Sequence, residues 1–430
     1  VRRALLISVL VLVGPAAWPA AAQNGPASCS VTGQNLYVRD VMQDLYLWSE
    51  FLPVVNPTSF PSPEAYLDAV RYRPLDSRFS YITSAAASNA FYSDSQFIGY
   101  GFGTSVQGDE LRVLQVYPDS PASEAGLARG DAILEVDGRS VAALIASGQI
   151  GGAFGPSEAG YSSEVVFRSR AGVERRERMT KRAVTIPTVS LTRAYDVDGR
   201  RVGYVFFRNF VRPSVAALDE AFAALRESGV TDLVLDLRYN GGGLVDVAVH
   251  LSSLIGGAVT AGQPFATFAH NPRNAFRNET LRFDEPSPAA LTLSRLIVIT
   301  SRSSASASEL VINGLRPFMP VILIGDATYG KPVGQYLIEF CSQVLAPVSF
   351  SLKNASGEAD YFDGFAPTCV AGDGIDRDLG DPEEASLAEA FHYIRRGACS
   401  TPAAGAAPRR RAAEGPDRRA TGWQSLVNAY

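Results

Sequence analysis

The chain has 430 residues, of which 46% are hydrophobic, and its 39 basic and 44 acidic side chains leave a net charge of −5. That length exceeds one ordinary core and predicts two or three domains. An acidic balance with no central block of Lys and Arg argues against a nucleic-acid partner.

The first stretch, VRRALLISVLVLVGPAAWPAAAQ, combines two arginines, an apolar run from Ala4 to Val13 and an A-x-A spacing at Ala20 and Ala22. This pattern predicts a signal peptide over residues 1–22, with export to a periplasm or the extracellular space. A membrane anchor would need about 20 apolar residues, and Gly14 and Pro15 interrupt the run. No later stretch is long and apolar enough to span a bilayer, so no integral span is expected in the mature chain. In an oxidising compartment Cys29, Cys341, Cys369 and Cys399 read as disulfides. Three pairings are open; Cys341 with Cys369 and Cys29 with Cys399 is the expected one, the second tying the mature start to the end of the last helix. A lipid-modified Cys29 is the alternative, weakened by Pro26.

An N-terminal helical region is expected over residues 23–95. Val38, Val41, Met42, Leu45 and Trp48 recur at helical spacing, and Ser62 with Pro63 opens a second helix. From residue 96 to 185 short strands alternate with glycine turns. SPASEAGL predicts a capped short helix and DAILEVDG a strand ending in a turn. From 186 to 400 strands and helices alternate: RVGYVFFRNF, SVAALDEAFAALRESG, TDLVLDLR, SRLIVIT and PVILIGD predict a layered α/β core. Residues 401–430, rich in Ala, Pro and Arg, predict a disordered tail.

The three histidines, His250, His270 and His392, lie far apart with no HExxH or CxxC beside them, so neither metal nor cofactor is expected. Attention falls instead on SRSSASASELVINGL, residues 301–315, between an apolar strand and a helical apolar face. A serine at a helix N-terminus is often only a cap, but there the unpaired N–H groups and the dipole also favour a nucleophile. Lysine is scarce: Lys181, Lys331 and Lys353 are the only ones among 39 basic residues. Arg effectively never releases its proton, whereas a desolvated Lys can, and Lys331 follows a Tyr-Gly turn. A neutral Lys331 could take the proton from a serine as general base. His250, which follows the glycine loop, is a weaker candidate for that role because it lies about two turns along its helix, facing an apolar run.

Two resemblances sharpen these expectations. FIGYGFGTSV joined to SPASEAGLARGDAILEVDG resembles a PDZ domain, in which Gly99, Tyr100, Gly101 and Phe102 stand at the carboxylate-binding loop. Such a loop converges backbone N–H groups on a chain-terminal carboxylate beside an open strand edge. SASASE, ILIGDATYGKPVGQ and LVLDLRYNGGGL together resemble the C-terminal processing, or tail-specific, serine peptidases of family S41. The resemblance implies a multidomain α/β chain with a core of the ClpP and crotonase type. It implies Ser306 as nucleophile, Lys331 as general base 25 positions later, and Gln335 as the group that orients the lysine. Gly242 and Ala307 are the implied oxyanion donors, with Gly241 or Gly243 as alternatives to the first. Ser304 and Ser308 then read as turn and helix-cap residues, and Ser301 and Ser303 as lead-in. The chain departs from the family in Tyr239-Asn240-Gly241-Gly242, where Asn-Pro-Gly-Gly or Asn-Asn-Gly-Gly is usual, in Tyr329 for Phe, and in Pro332 for a small residue.

The function these features imply is a serine endopeptidase acting on polypeptides whose free, apolar C-terminus is first held by the PDZ segment. A scaffold with a degenerate peptidase core is the competing reading, opposed by the intact Ser306, Lys331 and Gln335.

Overall fold

The computed structural model describes residues 25–400. The expected signal peptide at 1–22 and the expected tail at 401–430 lie outside them.

The centre is a six-stranded sheet in the order Val189–Val197, Arg200–Phe207, Asp232–Asp236, Leu296–Thr300, Val321–Gly325 and Cys369–Val370. The first pair is antiparallel and all later pairings are parallel. Every residue of Asp232–Asp236 and of Leu296–Thr300 is buried. Strands buried along their whole length require cover on both faces. Helices Ser214–Glu227, Val245–Gly256 and Ala307–Leu315 supply it on one side, through Phe222, Leu251 and Val311. Helix Ala385–Arg396 covers the other with Leu387, Phe391 and Ile394.

Residues 102–180 form a separate antiparallel sheet in the order Phe102–Gln107, Glu110–Val116, Ala132–Val136, Ser162–Arg168 and Glu174–Thr180, with helix Val141–Ala146 packed on it. The Phe102–Gln107 strand is at the edge of that sheet. This is the PDZ-like part of a mixed α/β chain. Gly101 is required there: its φ is +93°, and a Cβ would fall 2.1 Å from the Ser120 Cβ.

The N-terminal helices form as their spacing predicts. Val31–Leu45 buries Val38, Val41, Met42 and Leu45, although Trp48 lies past its end. The Ser62 hydroxyl caps Pro63–Val70 by accepting from the Ala65 N–H. These helices are not independent of the core. Strand Tyr81–Ser84 pairs with Gln343–Ala346, and Cys29 is bonded to Cys341. Cys369 is bonded to Cys399. The expected Cys341–Cys369 and Cys29–Cys399 pairings are therefore wrong. Cys369 is on the edge strand of the central sheet and Cys399 follows the last helix, whereas Cys341 lies just before strand Gln343–Ala346, which pairs with Tyr81–Ser84 of the N-terminal segment.

Candidate active site

Three adjacent parallel strands aim their C-terminal ends at one place, where α/β sheets commonly hold ligands. Asp232–Asp236 leads into the glycine loop at 240–243, Leu296–Thr300 into Ser306, and Val321–Gly325 into Lys331. Ser306, Ala307, Lys331, Gln335, Gly241 and Gly243 line one cavity. Its apolar wall includes Leu310, Val333, Phe350, Leu352 and Tyr361.

Ser306 sits directly before helix Ala307–Leu315 with φ 55° and ψ −115°. A non-glycine residue pays roughly 1–3 kcal/mol for such a backbone, so its surroundings must enforce it. The neighbouring serines do this. Ser304 Oγ donates to the Leu237 carbonyl over 2.8 Å and Ser308 Oγ to the Asn240 carbonyl over 2.9 Å. Both brace the Ser306 turn against the segment that enters the glycine loop, a larger role than the turn and cap functions expected from sequence. Ser301 accepts from the Ser303 N–H, and the Ser301 N–H donates to the Ser304 hydroxyl.

Sequence reasoning missed Glu309. Its side chain is fully buried and accepts four hydrogen bonds. Oε2 takes the N–H groups of Ser306 at 2.9 Å and Lys331 at 2.8 Å. Oε1 takes the Thr328 hydroxyl at 2.6 Å and the Gly330 N–H at 2.7 Å. One carboxylate thus joins the Ser306 turn to the lysine loop. Burial pushes its pKa up, opposed by those same donors. The visible signal was the Glu three places after a helix-opening Ser, which reads locally as an ordinary capping box.

Lys331 is buried, and its Nζ donates to Gln335 Oε1 over 2.7 Å. Burial lowers its pKa from 10.5 to about 8, against the opposing pull of Asp76 and Glu309. The lysine is thereby brought near the range in which a general base works. His250 stands elsewhere. Its Nε2 is 2.9 Å from Asp219 Oδ1, and although burial pushes its pKa down, Asp284 and Asp219 pull it above the ordinary value.

The glycine loop is held by Asn240, whose Nδ2 donates to the Phe207 carbonyl while its Oδ1 accepts the Gly242 N–H at 2.9 Å. Gly242 packs directly on the Ser306 turn, where a Cβ would fall 2.7 Å from the Ala307 nitrogen. The expected oxyanion donor at Gly242 is consequently already engaged. Among the described residues, the N–H groups of Gly241 and Gly243 have no hydrogen-bond partner.

In the PDZ-like part, the side chains of Tyr100 and Phe102 are in the core instead of facing a ligand. The Tyr100 carbonyl accepts the Ala122 N–H and the Gly101 carbonyl the Tyr117 N–H. Gly99 pairs with Arg182.

Comparison with known proteins places the three parts of the chain in known families. Residues 201–368 match the Peptidase family S41 profile, 33–81 the Peptidase S41 N-terminal domain and 112–148 a PDZ domain. A chloroplastic C-terminal processing peptidase of Tetradesmus obliquus is 29% identical over 54% of this chain and 50% of its own length. A carboxy-terminal-processing protease of Bartonella bacilliformis is 26% identical over 61% of this chain and 59% of its own. The chain therefore spans about half to three-fifths of the length of these curated relatives. A Bacteroides fragilis protein assigned to the S41 proteases superposes with a TM-score of 0.67 at 26% identity, over 84% of this chain and 97% of that one.

Proposed function

Because the chain belongs to peptidase family S41, we propose that it is a serine endopeptidase in which Ser306 is the nucleophile, Lys331 the general base and Gln335 the group that orients the lysine. The observation that carries the reading is the buried Lys331 amine, lowered to about 8 and hydrogen-bonded to Gln335, on the same cavity wall as Ser306.

In this reading a neutral Lys331 takes the Ser306 hydroxyl proton as Oγ attacks the scissile carbonyl. The developing oxyanion is held by the Ala307 N–H with that of Gly241 or Gly243, or with Gly242 once Asn240 lets it go. The protonated lysine then delivers its proton to the leaving amine, and water hydrolyses the acyl-enzyme by the same route reversed. Glu309 keeps the two reacting loops in register. No metal or cofactor enters the scheme.

The substrate is a polypeptide with a free, apolar C-terminus. The loop at Gly99, Tyr100, Gly101 and Phe102 and the adjoining edge strand receive it by strand addition. The apolar cavity wall suits an uncharged side chain next to the cut bond. Two disulfides support an oxidising compartment after export. The test compares hydrolysis of one peptide with a free C-terminus and the same peptide amidated, using wild type and Ser306→Ala. Faster cleavage of the free peptide by wild type alone is expected. Equal rates on both peptides would remove the tail-capture step, and full activity in Ser306→Ala would remove the nucleophile.

A further inference from the structure

We propose that Asp76, in the N-terminal segment and 255 residues before Lys331, is a positioning residue for the general base, acting through the Phe79 carbonyl and the Gln335 carboxamide. The inference rests on the Ser306–Lys331 reading above.

Asp76 is fully buried, and its carboxylate is saturated by four donors. Oδ1 accepts the N–H groups of Phe79 at 3.0 Å and Ser80 at 2.9 Å. Oδ2 accepts the hydroxyls of Tyr46 at 2.9 Å and Ser80 at 2.6 Å. These bonds fold residues 76–80 into a turn whose shape the carboxylate dictates, because short side chains that bond nearby backbone N–H groups fix local chain direction. The turn presents the Phe79 carbonyl to Gln335 Nε2 at 2.6 Å.

That contact decides which way the carboxamide faces. A carbonyl can only accept, so the Gln335 NH₂ must point at Phe79 and its Oε1 must point at Lys331 Nζ, 2.7 Å away. Rotated by half a turn, the carboxamide would set donor against donor on the protonated lysine and would occupy the lone pair of the neutral one. In the observed orientation the amine donates one N–H to Oε1, which holds it in place while leaving its lone pair free for another proton. A glutamine without this anchor would keep several rotamers and impose no direction on the base.

The turn is also referenced to the strand that carries Gln335. The Ser80 hydroxyl accepts the N–H of Val348, and strand Val348–Asn354 pairs with Val333–Gln335. On the other side of Lys331, the Arg78 guanidinium lies 4.1 Å over the Tyr329 ring and donates to the Tyr329 carbonyl. Residues 76–80 therefore grip the lysine loop at both ends. The N-terminal segment is part of the catalytic apparatus, not a detachable appendage.

The test is steady-state kinetics on the full chain for Asp76→Ala, Asp76→Asn, Gln335→Ala and the Asp76→Ala/Gln335→Ala double variant. Asp76→Ala should lower kcat about 10- to 100-fold, the scale of a misplaced catalytic group, with KM within about twofold. Asp76→Asn, which still offers an acceptor to the Phe79 and Ser80 N–H groups, should recover part of the loss. In the Gln335→Ala background, at a pH above about 8 where Lys331 is neutral whether or not the Asp76 charge is present, the Asp76 substitution should have little further effect, since a residue acting through Gln335 has nothing left to act on. If Asp76→Ala does not fold, Tyr46→Phe, which removes one donor, takes its place. It should lower kcat about 3- to 10-fold in the wild type and not at all beside Gln335→Ala. Losses that multiply in the double variant, or an unchanged kcat in the single ones, would overturn this inference alone. A wild type that hydrolyses no peptide would overturn the Ser306–Lys331 reading together with it.

Discussion

The Arg129 guanidinium donates to the Tyr239 hydroxyl over 2.8 Å, joining the PDZ-like sheet to the residue immediately before the glycine loop. Tyr239 has a φ of 62° and depends on its partners for that backbone. Arg129 also bonds Asp373 at 2.5 Å, and Arg238 pairs with Asp236, Asp373 and Glu384 in the same buried network.

Removing Arg129 takes one charged partner from Asp373, which keeps Arg238, and a donor from the Tyr239 hydroxyl and the Leu114 carbonyl. Arg129→Met should therefore cost about 2–4 kcal/mol of stability by denaturant titration, and lower kcat through the glycine loop. Burial pushes the Asp373 carboxyl up, but Arg238 and Arg129 hold it below its ordinary value of 3.8. Its stabilising contribution is thus present above that value and lost as the pH falls below it, and part of this acid dependence should disappear in the variant. An Arg129→Met protein as stable as wild type would contradict the network's role.

The lowered Lys331 pKa gives a pH dependence with a definite sign. Only the neutral amine accepts a proton, so kcat/KM should rise about tenfold per pH unit up to about 8 and level off above it. For stability the sign is also fixed. The unfolded lysine binds its proton below about 10.4, the folded one only below about 8, so stability falls as the pH drops through that window. The cost, on the order of 3 kcal/mol, is fully present at neutral pH. Lys181 is likewise lowered to about 8 by burial, so the pH profile of wild type alone does not separate the two. Lys331→Met does: it should be inactive and melt at a higher temperature than wild type at pH 7. An inactive variant that is less stable than wild type would argue against a buried, strained lysine.

Glu309→Gln keeps the shape of the side chain but turns an NH₂ toward donors that the carboxylate accepts. Each buried donor left unpaired costs about 1–3 kcal/mol, and the nucleophile turn and lysine loop lose their common anchor. The expected result is a kcat about 100-fold or more below wild type with a near-native fold by circular dichroism. Activity within a factor of about three of wild type would remove Glu309 from the account.

Much of this was legible in the sequence because it is local. Lys331 stands out by the scarcity of lysine, and Ser306 and Gln335 by the resemblance to family S41; Ser306 and Lys331 lie on loops that follow buried strands, and Gln335 ends the short strand Val333–Gln335. Strand runs such as Leu296–Thr300 and the Ser62 cap were readable for the same reason. What escaped was long-range. The bond from Gln335 to the Phe79 carbonyl spans 256 residues, and a backbone acceptor leaves no mark on residue identity. The disulfide partners depend on which strands lie side by side, which cysteine spacing does not encode. Asn240 reads as a turn residue, and only the fold reveals that its side chain holds the Gly242 N–H.

The central claim is that Lys331 makes Ser306 nucleophilic. Its most direct test is mass-spectrometric measurement of covalent labelling by a serine-acylating reagent, in wild type and in Lys331→Arg. Stoichiometric modification of Ser306 is expected in wild type and almost none in the variant, whose guanidinium keeps its proton. Equal labelling of the two proteins, or an unlabelled Ser306 in folded wild type, would contradict it.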